Sequence, residues 1–196
     1  MKRRACWLAG CLAACGMVML ASGCVSRGSA ASPAPRVDAA VAARIGLHHP
    51  ESGLSTAGQP DVADWSLLAC AGIRTVVNLR PESETPGRDL QREVEQAGLR
   101  YVHLPMTGPE QLTVERARQL PHVLDASDAP VLLHCASGNR AGGLLAISYW
   151  LSGKQTARQA LQSGHQAGMT STGTAVERVM HRCPVEQADA MQAPAC

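Results

Sequence analysis

Phenylalanine is absent from the 196 residues, and the only other large aromatics are three tryptophans and two tyrosines. With so few stacking platforms and a net charge of only +2, a nucleic-acid groove is not expected, because such surfaces interleave aromatics with a basic stripe. Lysine is scarce too, at two against sixteen arginines, a bias that reflects base composition more than function. The eight cysteines show no metal-ligand spacing, and the adjacent His48 and His49 have no Cys or carboxylate pattern around them, so they read as loop surface. No metal and no cofactor are expected.

What is present begins at the N-terminus. Lys2, Arg3 and Arg4 precede an uncharged stretch from Ala5 to Gly23 that ends in the small residues Ala21, Ser22 and Gly23. This is the pattern of an export signal over residues 1–23, with cleavage favoured over permanent anchoring. Leu20-Ala21-Ser22-Gly23-Cys24 is similar to a bacterial lipoprotein box, which implies acylation of Cys24 and a membrane-anchored protein facing the periplasm. Residues 24–42, rich in Ser, Ala, Gly and Pro, read as a tether. From Cys24 onward fifteen basic residues face sixteen acidic ones. In an oxidising compartment Cys183 and Cys196 are the expected pair, the latter in a tail over residues 184–196.

Residues 43–183 are enough for one α/β domain. Gly53 to Ala57 reads as a first edge strand, and Pro60 starts a helix whose Val62, Trp65, Leu68 and Ala69 share a face. The β-branched run Ile73 to Leu79 reads as a central strand, and Arg80 to Gly87 as a loop. A helix over 89–97 leads to a strand over 100–104, and a helix over 113–125 places Val114, Ala117, Leu120 and Leu124 inward. Val131 to His134 is a buried strand, followed by a helix over 142–151 and two short ones near 156–162 and 174–182. The alternation predicts a three-layer domain with a mostly parallel central sheet covered by helices. Ligands bind at the carboxyl ends of such strands, where Arg80 and Cys135 emerge.

His134-Cys135-Ala136-Ser137-Gly138-Asn139-Arg140 carries the chemistry. A sharp turn from strand to helix aims backbone N–H groups of Ala136, Ser137, Gly138, Asn139 and Arg140 into one concavity, and the helix start adds positive potential. Such a cradle favours an oxyanion and the nucleophilic thiolate of Cys135. Arg140 adds a planar fork suited to phosphate.

Several segments together resemble the phosphatase-like domain of the β-lactamase-hydrolase-like family, within the cysteine-dependent tyrosine and dual-specificity phosphatase superfamily. They are Gly58-Gln59-Pro60, the run from Ala71 to Glu82, Tyr101-Val102-His103-Leu104-Pro105 and His134 to Gly142. The resemblance covers Leu54 to His181. It implies a protein-tyrosine-phosphatase-like fold and a phosphorylated substrate, with Cys135 as the phosphocysteine-forming nucleophile, Arg140 as the phosphate clamp and His134 orienting the loop.

Three positions depart from the superfamily pattern. Cys135 and Arg140 enclose four residues where five are usual, a spacing similar to the active loop of single-domain rhodaneses, whose cysteine carries a persulfide. Ala141 replaces the Ser or Thr that assists departure of the thiol. The loop Pro105 to Gln111 lacks the Asp that protonates the leaving oxygen, and Glu110 is its only carboxylate. Three readings follow: a phosphate monoesterase, a sulfurtransferase using a Cys135 persulfide, and an anion-binding module without turnover.

Overall fold

The computed structural model describes residues 35–183. The expected signal, the Cys24 lipidation site, most of the tether and the tail with Cys196 lie outside them.

The first element, α1 (Ala39–Ile45), starts where the Asp38 carboxylate accepts from the Ala40 amide at 2.9 Å. Its Val41 and Ile45 are buried, so the folded part begins inside the stretch expected as tether: two apolar side chains one helical turn apart are enough to dock it. Next come β1 (His48–Glu51), β2 (Leu54–Ala57), α2 (Asp64–Cys70), β3 (Thr75–Asn78), α3 (Leu90–Gln96) and β4 (Arg100–His103). The rest is α4 (Val114–Asp125), β5 (Val131–His134), α5 (Asn139–Leu151), α6 (Ala157–Gln166) and α7 (Gly173–Arg182).

The five strands are ordered β1-β2-β5-β3-β4. All neighbours are parallel except β1, which pairs antiparallel with β2. Alternation along β5 separates two cores. Val131 and Leu133 join the cluster under α4 to α7, and Leu132 joins Val41, Trp65, Leu68, Leu90 and Val94 on the face covered by α1 to α3. Burying a leucine of this kind is worth about 1.5–3 kcal/mol, and both faces of the sheet are closed. This is the expected three-layer α/β domain with a mostly parallel central sheet covered by helices.

Several expectations are corrected. The segment expected as first edge strand is internal as β2, because His48–Glu51 covers it; His48 and His49 therefore lie in a strand, with His49 Nδ1 3.0 Å from Ser55 Oγ. The run read as a central strand is interior as expected, forming β3 between β5 and β4, and β5 takes the middle position. Val62 precedes α2 and is 60% exposed, so it is not on the helix's buried face. The helix after the cradle starts three residues early, at Asn139, because Gly138 makes the turn alone with φ 84°.

The register fixes the site. His134 aligns with Ala57 on one side and with Asn78 on the other. Gly58, Leu79 and Cys135 therefore leave the sheet together at its carboxyl edge.

Candidate active site

The cradle is built on the central strand and braced from β2. Cys135 is 1% exposed, and its amide donates to the Ala57 carbonyl at 3.3 Å. The Gln59 amide donates to the Ala136 carbonyl at 3.1 Å, and Gly58 forms an isolated bridge with Ser137. A Cβ at Gly58 would stand 3.1 Å from both the Ala136 and Ile45 carbonyl oxygens, so a larger residue would push the brace back by a few tenths of an ångström. Gly138 takes the left-handed conformation that favours glycine. Beyond it the first N–H groups of α5, a 13-residue helix, have no intrahelical acceptor and carry the positive end of its dipole.

Arg140, on the first turn of α5, is 8% exposed. Its Nη1 donates to Glu84 Oε1 at 2.8 Å and to the Met106 carbonyl, and its Nη2 donates to Glu84 Oε2 at 2.6 Å. A guanidinium has five N–H donors. Glu84 occupies the end-on pair and Met106 the outer Nη1 proton, which leaves Nε and the second Nη2 proton as a side-on fork. The Cys135 side chain lies close enough to this guanidinium to act on it electrostatically. Two parallel donors beside a sulfur nucleophile and above a helix N-terminus are suited to a tetrahedral oxyanion.

Glu84 is the residue that sequence reasoning missed. Four positions after Arg80, it pairs with Arg80 Nε at 3.3 Å. Its main partner, 56 positions away, is reached because the loops after β3 and β5 leave the same sheet edge. An acidic residue at that edge, opposite an arginine at the next one, was the available signal. Hydrogen bonds from Arg140 hold the Glu84 carboxyl below its usual range against the opposing effect of burial, with Arg80 assisting. Burial lowers the Arg140 pKa, but the Glu84 hydrogen bonds and charge, with a contribution from the neighbouring Cys135, outweigh it, and the net direction is up.

The remaining expected residues divide. Ala136 and Ser137 are exposed at the mouth of the cradle. The Asn139 side chain is turned away from it: Oδ1 accepts from the Thr170, Ser171 and Thr172 amides at 2.9, 3.1 and 3.2 Å, tying the loop between α6 and α7 to the start of α5. Ala141 is fully buried. Glu110 is exposed on the loop after β4 and accepts from Thr107 Oγ1 at 3.1 Å. That loop reaches the cradle through the Met106 carbonyl.

His134 is fully buried, with Nδ1 3.4 Å from the Cys135 carbonyl and the ring edge-on to Trp65 at a centroid separation of 5.7 Å. Nε2 has no hydrogen-bond partner among the described residues. Burial pushes its pKa down to about 3, so the ring is neutral and supplies no positive charge to the thiol. Arg80 is not a free rim cation. Its Nη1 donates to Gln59 Oε1 at 2.9 Å and its Nη2 to the Glu84 carbonyl at 2.5 Å. A polar cleft of about 610 Å³ behind this segment is lined by Arg80, Arg88, Tyr101 and His103 among others, and excludes Cys135 and Arg140.

Comparison with known proteins agrees with this fold. Residues 46–152 match the family model of the phosphatase-like domain of beta-lactamase hydrolase-like proteins. A curated beta-lactamase hydrolase-like protein of Agrobacterium fabrum is 31% identical over 105 residues, 52% of this chain and 24% of its own length. One from Xylella fastidiosa is 32% identical over 119 residues, 59% of this chain and 27% of its own. The chain thus spans about a quarter of the length of these relatives. Among solved structures, a variant of P. aeruginosa TpbA in complex with pTyr superposes with a TM-score of 0.61 at 21% identity, covering 85% of this chain and 100% of that one. At that identity the likeness is one of fold.

Proposed function

Because this chain belongs to the phosphatase-like domain family of beta-lactamase hydrolase-like proteins, we propose that it hydrolyses phosphate monoesters through a phosphocysteine at Cys135. The observation that carries the reading is the unspent side-on fork of Arg140 beside Cys135, with Glu84 and Met106 holding the opposite edge.

The Cys135 thiolate attacks phosphorus. An S–P bond forms, the ester P–O bond breaks, and the leaving oxygen takes a proton from Glu110. Two of the three phosphoryl oxygens accept from the Arg140 fork, and the third from cradle amides. Water then attacks phosphorus while giving a proton back to the Glu110 carboxylate, the S–P bond breaks, and inorganic phosphate and the thiolate are released. Donors fixed before the reaction stabilise charge as it develops on those oxygens. With Ala141 offering no hydroxyl to the departing sulfur, the second step is the slower, and the first turnover appears as a burst of alcohol product.

Aryl phosphates are the substrates to try first, since TpbA is seen with phosphotyrosine. Family and fold both favour phosphoryl over sulfur transfer. The lipoprotein-like Cys24 region leads us to place the enzyme on the periplasmic side of a membrane, and Cys24→Ala should release it to the soluble fraction.

The test is phosphate release from an aryl phosphate, run beside thiocyanate formation from thiosulfate and cyanide, each with the parent protein and Cys135→Ser. Phosphate release that disappears in Cys135→Ser is the expected result. Thiocyanate alone would establish sulfur transfer instead, and phosphate protection of Cys135 from alkylation without turnover would leave an anion-binding module.

A further inference from the structure

A bidentate carboxylate on the arginine that must clamp phosphate creates an electrostatic difficulty. Glu84 cancels the charge of Arg140, and with Cys135 as the attacking thiolate these three side chains sum to a net negative charge. A phosphate dianion entering such a site is repelled. His134 beneath it is neutral. Arg88 is already taken by Glu93, with contacts of 3.0 and 2.5 Å.

Arg80 is different. Its Nε approaches the same Glu84 oxygen that Arg140 uses, while its two shorter contacts, at 2.9 and 2.5 Å, go to the neutral oxygens of the Gln59 side chain and the Glu84 backbone. One carboxylate is thus shared by two guanidiniums, and the second brings a positive charge that forms an ion pair with no other carboxylate among the described residues. Arg80 is 15% exposed and held by Gln59, whose own amide braces the cradle at Ala136.

We propose that Arg80 is a positioning residue that acts through Glu84, restoring the positive charge that Glu84 removes from Arg140 and so setting the affinity of the cradle for dianionic phosphate. It rests on the reading of Cys135 to Arg140 as an oxyanion cradle and does not require turnover. The division of labour is then clear: Glu84 fixes the geometry of Arg140, and Arg80 offsets what that costs in charge.

The experiment measures the inorganic phosphate concentration that half-protects Cys135 from iodoacetamide, read at the Cys135 peptide by mass because Cys70 is also a free, exposed thiol. Arg80→Met should require roughly tenfold more phosphate, the loss expected for one nearby charge at a partly screened site. Arg80→Lys should stay within about threefold of the parent protein, since the charge remains. Gln59→Glu keeps the acceptor facing Arg80 while opposing its charge, and should weaken protection in the same direction without removing Arg80. Unchanged protection in Arg80→Met overturns the proposal, as does an Arg80→Lys loss equal to that of Arg80→Met, which would make the role geometric. If the parent protein shows phosphate protection but no phosphatase activity, the hydrolytic reading fails and this one stands. Absence of protection in the parent protein overturns both.

Discussion

Glu84→Gln is the substitution that best separates orientation from charge at the cradle. The amide keeps one acceptor for Arg140, but its NH₂ now faces a guanidinium N–H where a carboxylate oxygen accepted at 2.6 Å. The pair is partly buried, with side-chain exposures of 10% for Arg140 and 27% for Glu84. Its loss should therefore exceed the roughly 0–1 kcal/mol of a surface pair and fall short of the 3–5 kcal/mol of a fully buried one, which places it at about 1–3 kcal/mol. A fork no longer held in place loses alignment with the phosphoryl oxygens, and misplacement on the ångström scale costs on the order of a hundredfold in rate. Charge works in the opposite direction: removing a carboxylate makes the site more positive, so phosphate should bind at least as well. The expected result with an aryl phosphate is a fall in kcat of about tenfold to a hundredfold with no rise in KM. An unchanged kcat, or a rise in KM alone, would refute the assignment of Glu84 as the residue that orients Arg140.

Other expectations concern the frame around the cradle. Burial lowers the His134 pKa from 6.5 to about 3, so between those values the unfolded chain binds a proton that the folded one does not. Stability therefore rises with pH across that window and is lost as pH falls from 6.5 toward 3. His134→Phe should flatten this dependence in urea unfolding, and a variant that keeps the parent slope would contradict it. Gly142→Ala would place a Cβ 2.5 Å from the Met169 amide nitrogen and 2.6 Å from the Gly164 carbonyl oxygen. Both are backbone atoms, so a loss of about 1–3 kcal/mol is expected in thermal unfolding. Asn139→Ala leaves the Thr170, Ser171 and Thr172 amides without the Oδ1 acceptor; hydrogen exchange at those three positions should quicken, while unaltered protection would show the clamp to be dispensable.

Local chemistry was legible in the sequence wherever it was self-contained. Asp89 and Thr113 cap α3 and α4 within a residue of the expected starts, because an oxygen-bearing side chain before an apolar periodic run satisfies nearby amides by itself. The cradle was legible for the same reason, since thiol, turn glycine and arginine lie within a few positions of one another. Sheet order was not: a β-branched run such as Thr75 to Asn78 reads as buried without revealing what lies on either side. Asn139 belongs to the cradle sequence, but the partners of its side chain, more than 30 positions away, could not be inferred from its neighbours. Glu84 escaped notice because an i,i+4 arginine offered a sufficient local partner, and only the parallel register brought a better one.

The stretch shared with the family model ends at residue 152, yet the back of the cradle is made from later residues. Gly142 abuts Met169 and Gly164, Gly143 would meet Thr172 at 3.0 Å, and Asn139 is tied to the same loop. A version of this domain trimmed at the family boundary would keep Cys135, Arg140 and Glu84 but strip the wall against which α5 is seated. Any transplant of this site into another scaffold must therefore carry α6 and the Gly168 to Thr172 turn with it.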